Sequence, residues 1–153
     1  MNWWFLIGVL LHPIKRMVFW SASKLHKTTR PRVAIICKNQ ILLVQGWGDF
    51  GWGMPGGGKH RGESAVDAAA RELKEEIGVS IDTNDFIYVD TLDRKTYFAP
   101  LYLVKISDSS KLSLKLQKWE INRAEWFDID RLPSGSDSVK EAINAIIYSK
   151  NLL

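Results

Sequence analysis

Residues 57–79, GGKHRGESAVDAAARELKEEIGV, carry the reading that decides the fold. Residues 64–77 predict an amphipathic helix. Ser64 is a candidate N-cap with Asp67 three residues on, and Ala65, Val66, Ala69, Leu73 and Ile77 form the apolar stripe. Gly78 stands where a helix C-cap belongs. On that helix Glu72, Glu75 and Glu76 occupy positions i, i+3 and i+4, so they share one face. Like charges at i,i+4 destabilise a helix by roughly 0.2–0.5 kcal/mol per pair, so stability alone does not account for such crowding. A hard divalent cation resolves the conflict, because Mg²⁺ takes oxygen ligands and favours carboxylates together with substrate phosphate. Arg71 can pair with Glu75 one turn on. Upstream, residues 46–62 hold eight glycines in 17 positions, a loop whose backbone can approach a ligand closely.

Working outward, residues 32–38 (RVAIICK) and 41–45 (ILLVQ) read as two strands joined by a tight turn at Asn39-Gln40. Residues 86–92 and 96–106 read as a second strand pair turning at Asp93-Arg94. Leu112, Leu114 and Leu116 alternate with polar residues and predict a half-buried strand over 111–117; residues 124–128 predict a further short one. Residues 138–148 predict a terminal helix with a capping box at Ser138 and Glu141, and a buried stripe of Val139, Ala142, Ile143, Ile146 and Ile147. Strands on either side of a central helix, with another helix at the end, imply an α/β fold: a mixed sheet covered by helices on both faces.

The order Gly57, Glu63, Arg71, Glu72, Leu73, Glu75, Glu76, Gly78, Val79 resembles the Nudix box, Gly-x5-Glu-x7-Arg-Glu-U-x-Glu-Glu-x-Gly-U with U aliphatic, and every spacing is kept. Residues 52–58 (WGMPGGG) and 120–133 (EINRAEWFDIDRLP) are similar to the family's approach to the box and its late strand and turn, so the resemblance extends over roughly residues 32–150. It implies a Nudix-type α/β/α sandwich and Mg²⁺-dependent hydrolysis of a diphosphate linked to another group in a nucleoside diphosphate derivative, with Mn²⁺ as a substitute ion. Carried over residue by residue, Glu72, Glu75 and Glu76 would be metal ligands, one of them acting as base. The Gly56 carbonyl would be a further ligand, and Glu63 and Arg71 would orient the others. Glu120 is a candidate base from outside the box. The chemistry agrees: water attack at phosphorus needs charge neutralisation, an activated water and in-line positioning.

Other candidates are weaker. Lys59 and Arg61 (with His60 between them) are placed to reach phosphate oxygens. Trp47 is a candidate for stacking a base, and Trp52 for core packing. Cys37 reads as a small buried hydrophobe. Being the one cysteine in the chain, it excludes an internal disulfide framework and fits a reducing, cytoplasmic setting.

The composition, 46% hydrophobic and 25% charged over 153 residues, is that of a globular domain, and the net charge of +4 is unevenly spread. Residues 1–32 hold six cations (Lys15, Arg16, Lys24, Lys27, Arg30, Arg32) and no acid, whereas the remainder holds 15 basic and 17 acidic residues. The expected division is an arm over 1–30 and a catalytic domain over 31–153. The arm's apolar run, residues 3–11, is too short to span a bilayer, which needs about 20 residues. Its charges follow the run rather than precede it, unlike a secretory signal. Terminal tryptophans and a cationic face suit an interfacial helix on an anionic membrane, which would place the protein at the inner face. The alternative is packing on the domain or in a homodimer. Two other functions compete with the hydrolase reading. One is a non-catalytic nucleotide-binding sensor, against which the full glutamate set argues. The other is an RNA 5′-end pyrophosphohydrolase with the arm holding RNA. The long apolar run suits lipid better, so nucleic acid is the disfavoured partner.

Overall fold

A computed structural model describes residues 27–109 and 112–150. Six strands form one mixed sheet: β1 (Thr28–Thr29), β2 (Arg32–Cys37), β3 (Gln40–Gly46), β4 (Ile87–Asp93), β5 (Tyr97–Ile106) and β6 (Ile121–Asp128). Among the described residues two α-helices accompany it, α1 (Ala65–Ile77) and α2 (Asp137–Lys150). β2 runs antiparallel to β3 and parallel to β5, β3 is antiparallel to β6, and β4 is antiparallel to β5. β1 joins β5 in parallel, Thr28 opposite Tyr97. The sheet thus begins at Thr28, within the last residues assigned to the arm.

Alternation along β2 and β3 sends side chains to two cores, one on each face. Val33, Ile35, Leu42 and Val44 pack with Ala69, Leu73 and Ile77 of α1. Ala34, Ile36, Ile41 and Leu43 pack with Leu101, Leu103 and with Val139, Ala142, Ile143 and Ile146 of α2. This is the expected α/β/α sandwich. α1 starts where Ser64 accepts from the Asp67 N–H at 3.1 Å and stops at Gly78, whose φ of 72° is left-handed. Cys37 is buried and free. Trp52 packs edge-on against Phe127, with 4.7 Å between centroids.

Several expectations are corrected. The first hairpin turns at Lys38-Asn39, one residue early, with Lys38 at φ 54°. Residues 112–117 are not a strand. Leu112, Leu114 and Leu116 do pack against the α1-side core, but the Lys115 and Gln117 N–H groups donate to the Ile77 and Glu76 carbonyls at 2.8 and 2.9 Å, closing the end of α1 instead of joining a ladder. α2 has no capping box at Ser138. The Val139 and Lys140 N–H groups donate to the Ser136 carbonyl, and Glu141 pairs with Arg94. Ile147 is exposed, not buried.

The apolar part of the arm, residues 1–26, lies outside the described residues, as do the membrane and packing readings that rest on it. Among the described residues no helix is long and apolar enough to cross a membrane. The cations of the segment divide. Lys27 pairs with Asp93 on β4, and Arg30 and Arg32 line the cleft described next, so three of the six belong to the folded domain and not to a detached basic arm.

Candidate active site

The glycine loop crosses the sheet beside β1 and β2. The Val33 N–H donates to the Pro55 carbonyl and the Lys59 N–H to the Thr29 carbonyl, both at 3.0 Å. Gly56, at φ 133°, lies so close to Pro31 that a Cβ there would collide with the Pro31 carbonyl oxygen. At Gly57 a Cβ would meet the Glu72 carboxyl group at 2.5 Å. Glycine at 56 and 57 therefore lets the backbone settle against the acidic face of α1.

Arg71 organises that face. Its Nε donates to Glu63 at 2.9 Å, its Nη1 to Glu72 at 3.0 Å and Glu75 at 2.9 Å, and its Nη2 to the Gly58 carbonyl at 2.8 Å. Glu63 also accepts from the His60 N–H at 2.9 Å. The Arg71 hydrogen bond holds the Glu63 carboxyl down to about 2, and in return Glu63 raises the Arg71 guanidinium. Glu76 is the contrasting case. It is only 7% exposed and accepts from the Gly56 N–H at 2.8 Å, and burial pushes it up to about 7. Burial raises Glu72 as well. These two carboxylates are held where ionisation is costly without a cation nearby.

Whether an ion fits can be judged from the donors. Among the described residues no three carboxylate, imidazole or thiol groups converge closely enough to hold a metal as they stand, and Arg71 engages both Glu72 and Glu75. The chemistry of the set nevertheless suits a hard divalent cation: its donors are all oxygen, and Glu76 is buried beside Gly56. Glu72, Glu75, Glu76 and Gly56 are the residues that would hold it.

A cleft of about 660 Å³ opens over this cluster. Glu72, Glu75, Glu76, Arg71, Gly56 and Gly57 line it, as do Trp47 and Glu120. Trp47 is fixed there, its indole N–H donating to the Lys118 carbonyl at 2.6 Å and its backbone N–H to the Glu120 carbonyl at 3.3 Å. Lys59 and Arg61 are exposed and are not among the lining residues; the Lys59 ammonium instead donates to the Glu63 carbonyl at 2.7 Å. Glu63 is likewise behind the lining, acting through Arg71.

Sequence reasoning missed Arg30, Arg32, Arg94, Tyr97 and Ser138, all of which line the cleft. For the first two a signal existed. They flank Pro31 immediately before a β run, and residues i and i+2 of an extended chain share a face. Arg94 and Ser138 come from the β4–β5 turn and α2, and nothing local announces them.

A family model described as the NUDIX domain matches residues 27–146. The chain is 33% identical over 137 residues to the mRNA decapping complex subunit 2 of Schizosaccharomyces pombe, covering 76% of this chain and 18% of that protein. It is 34% identical over 93 residues to an RNA pyrophosphohydrolase of Serratia proteamaculans, covering 59% of this chain and 53% of that protein. The chain thus spans only part of the length of either relative. Among solved structures, a MutT NUDIX hydrolase from Burkholderia pseudomallei superposes with a TM-score of 0.70 at 21% identity, over 79% of this chain and 98% of that one, which shows the shared fold. With the box intact, its carboxylates gathered on one helix face beside the glycine loop, and the family model covering most of the sequence, the chain belongs to the Nudix family.

Proposed function

We propose that this protein hydrolyses a phosphoric anhydride bond in a nucleoside diphosphate derivative, with Mg²⁺ as the working ion and Mn²⁺ as a substitute. Family members generally use divalent cations; the choice of Mg²⁺ rests on the all-oxygen donor set. The observation that carries the reading is the Glu72, Glu75 and Glu76 face lining the cleft against Gly56 and Gly57. A bound divalent cation supplies phosphate charge neutralisation and a lowered pKa for coordinated water. Arg71 orients Glu72 and Glu75, and Glu63 orients Arg71. One of the three helix carboxylates takes the proton of the attacking water, and Glu120, which also lines the cleft, is an alternative acceptor. The cleft's half-buried arginines bind phosphate oxygens, and Trp47 offers an aromatic face to a base.

The test is product analysis with a panel of nucleoside diphosphate derivatives, nucleoside triphosphates and 5′-triphosphorylated RNA, in Mg²⁺ and in EDTA. Cleavage of at least one panel member in Mg²⁺ and none in EDTA is expected. Binding without turnover of any would instead favour a nucleotide sensor. An RNA 5′ end is the second reading. Arg30, Arg32 and Arg94 in the cleft favour it, as do the names of the two relatives, which concern RNA. The protein is further proposed to be cytoplasmic and to meet an anionic membrane surface through its N-terminal segment, with homodimerisation through that segment as the alternative.

A further inference from the structure

Glu120 differs from the other carboxylates of the cleft in how it is held. Arg71 engages the Glu72 and Glu75 side chains, and the Gly56 N–H engages that of Glu76. Glu120 is exposed and stands on the turn 118–120, which leads from the stretch 112–117 into β6, so its carboxylate is only as well placed as that turn. The pairing of β3 with β6 ends at Gly46 opposite Ile121, one residue short of Glu120, and its register shifts there. Other hydrogen bonds carry the hold further. The Glu120 and Ile121 N–H groups donate to the Gln117 carbonyl at 3.0 and 2.9 Å, and the Gln117 N–H donates to the Glu76 carbonyl at 2.9 Å, which ties the turn to the end of α1. Trp47, the first residue past β3, adds two more. Its indole N–H donates to the Lys118 carbonyl at 2.6 Å and its backbone N–H to the Glu120 carbonyl at 3.3 Å, so one residue grips the turn on both sides of Trp119. Glu120 lines the cleft together with Glu72 and Glu76. Burial is the chief cause of the raised Glu72 and Glu76 carboxyls, and the Glu120 charge adds to both, so the three act on one another. An indole N–H is a donor only, and stacking on the ring face does not use it. A reacting group misplaced by about 1 Å can lose about a hundredfold in rate.

We propose that Trp47 is a positioning residue: its indole N–H, through the Lys118 carbonyl, holds the turn that presents the Glu120 carboxylate to Glu72 and Glu76. Removing that N–H lowers turnover by way of Glu120 and leaves substrate binding nearly unchanged. This rests on the hydrolytic reading above and on a part for Glu120 in it, and it gives Trp47 a task separate from stacking a base.

The experiment uses the full chain in Mg²⁺ and measures kcat and KM for the fastest panel substrate in native protein, W47F, E120Q and W47F/E120Q, each scaled to its folded fraction by circular dichroism. W47F removes the donor and keeps a flat ring. It is expected to lower kcat at least tenfold with KM changed less than threefold. E120Q should lower kcat at least as much, and W47F/E120Q should fall within threefold of E120Q alone, because the indole then has no carboxylate left to place. A purely structural role for Trp47 would instead lower kcat by the same factor with and without Glu120. A native kcat in W47F or in E120Q, an effect of W47F confined to KM, or losses that multiply in the double variant would overturn the proposal while leaving the hydrolase reading intact. Should W47F not fold, W47M replaces it, and failure of both to fold would make Trp47 structural and overturn the proposal as well. Amide hydrogen exchange needs no turnover. The Glu120 and Ile121 amides should exchange at least tenfold faster in W47F than in native protein, with those of buried Ala69 and Leu73 in α1 unchanged. Equal exchange at 120 and 121 would refute the tether. If native protein cleaved no panel member, the hydrolase reading alone would be at fault, and the exchange rates would still decide whether Trp47 holds the turn.

Discussion

Glu76 is buried and accepts from the Gly56 amide, and burial raises it to about 7. A carboxyl whose pKa is higher in the folded than in the unfolded chain binds its proton more tightly when folded. Its stabilising contribution is full below the unfolded value near 4.5 and is lost as pH rises through about 7. Metal-free protein melted in EDTA is therefore expected to lose thermal stability between about pH 4.5 and 7, and Glu76→Gln should flatten that slope. Mg²⁺ should raise the melting temperature more at pH 8 than at pH 5, since the ion favours the ionised carboxylate. A slope of equal size in Glu76→Gln would contradict the assignment. The two glycines separate space from strain. Gly57→Ala places a methyl against the end of the flexible Glu72 side chain, so it should reduce turnover at least tenfold with little change in melting temperature. Gly56→Ala meets backbone at a φ of 133° and should destabilise the fold by about 1–3 kcal/mol, read by chemical denaturation. Equal effects of the two on stability would refute the distinction.

Helix α1 is held at its carboxyl end by the extended stretch 112–117, and Gly78 sits at that junction. A Cβ on Gly78 would lie 2.7 Å from the Lys115 Cβ, at a left-handed φ of 72°. Gly78→Ala should cost about 1–3 kcal/mol and lower the melting temperature by several degrees. A melting curve superimposable on the native one would show that the stretch is not a clamp. The same stretch marks where sequence reading stopped short. Alternating leucines report one half-buried face, and an extended segment packed on a core satisfies that pattern as well as a strand does. What decided the outcome was that its N–H groups met the free carbonyls of Ile77 and Glu76. Helix α1 itself was legible from Ser64 to Gly78 because cap, stripe and stop all lie within one segment. So was the acidic face, since Glu72, Glu75 and Glu76 fall at helical spacing. Arg94 and Ser138 reach the cleft only through the folding of distant segments, and no spacing rule covers that. The Ser138 and Glu141 capping pattern misled because the helix already begins at Asp137, which puts Ser138 inside it, and Glu141 pairs with Arg94.

The described residues carry the site, and the apolar residues before Lys27 contain none of its carboxylates. A chain beginning at Lys27 retains β1 and the cleft arginines. It is expected to keep its melting temperature and turnover and to lose binding to anionic vesicles. Attraction to anionic lipid, roughly 1 kcal/mol per cation near the surface, fades with salt, whereas apolar insertion does not. Binding of the full chain should then weaken without vanishing at high salt in vesicle co-sedimentation. If the full chain stays in the supernatant at low salt, the membrane reading fails, and a changed oligomeric state on truncation would place the segment in a dimer. The central claim, that the glutamate face of α1 performs divalent-cation-dependent anhydride hydrolysis, is met most directly by one comparison. Turnover of the fastest panel substrate in Mg²⁺ is measured for native protein and for Glu72→Gln, Glu75→Gln and Glu76→Gln, each first shown to be folded. A loss of at least a hundredfold in Glu76→Gln, with clear losses in the other two, is the predicted result; folded variants that all turn over substrate at the native rate would contradict it.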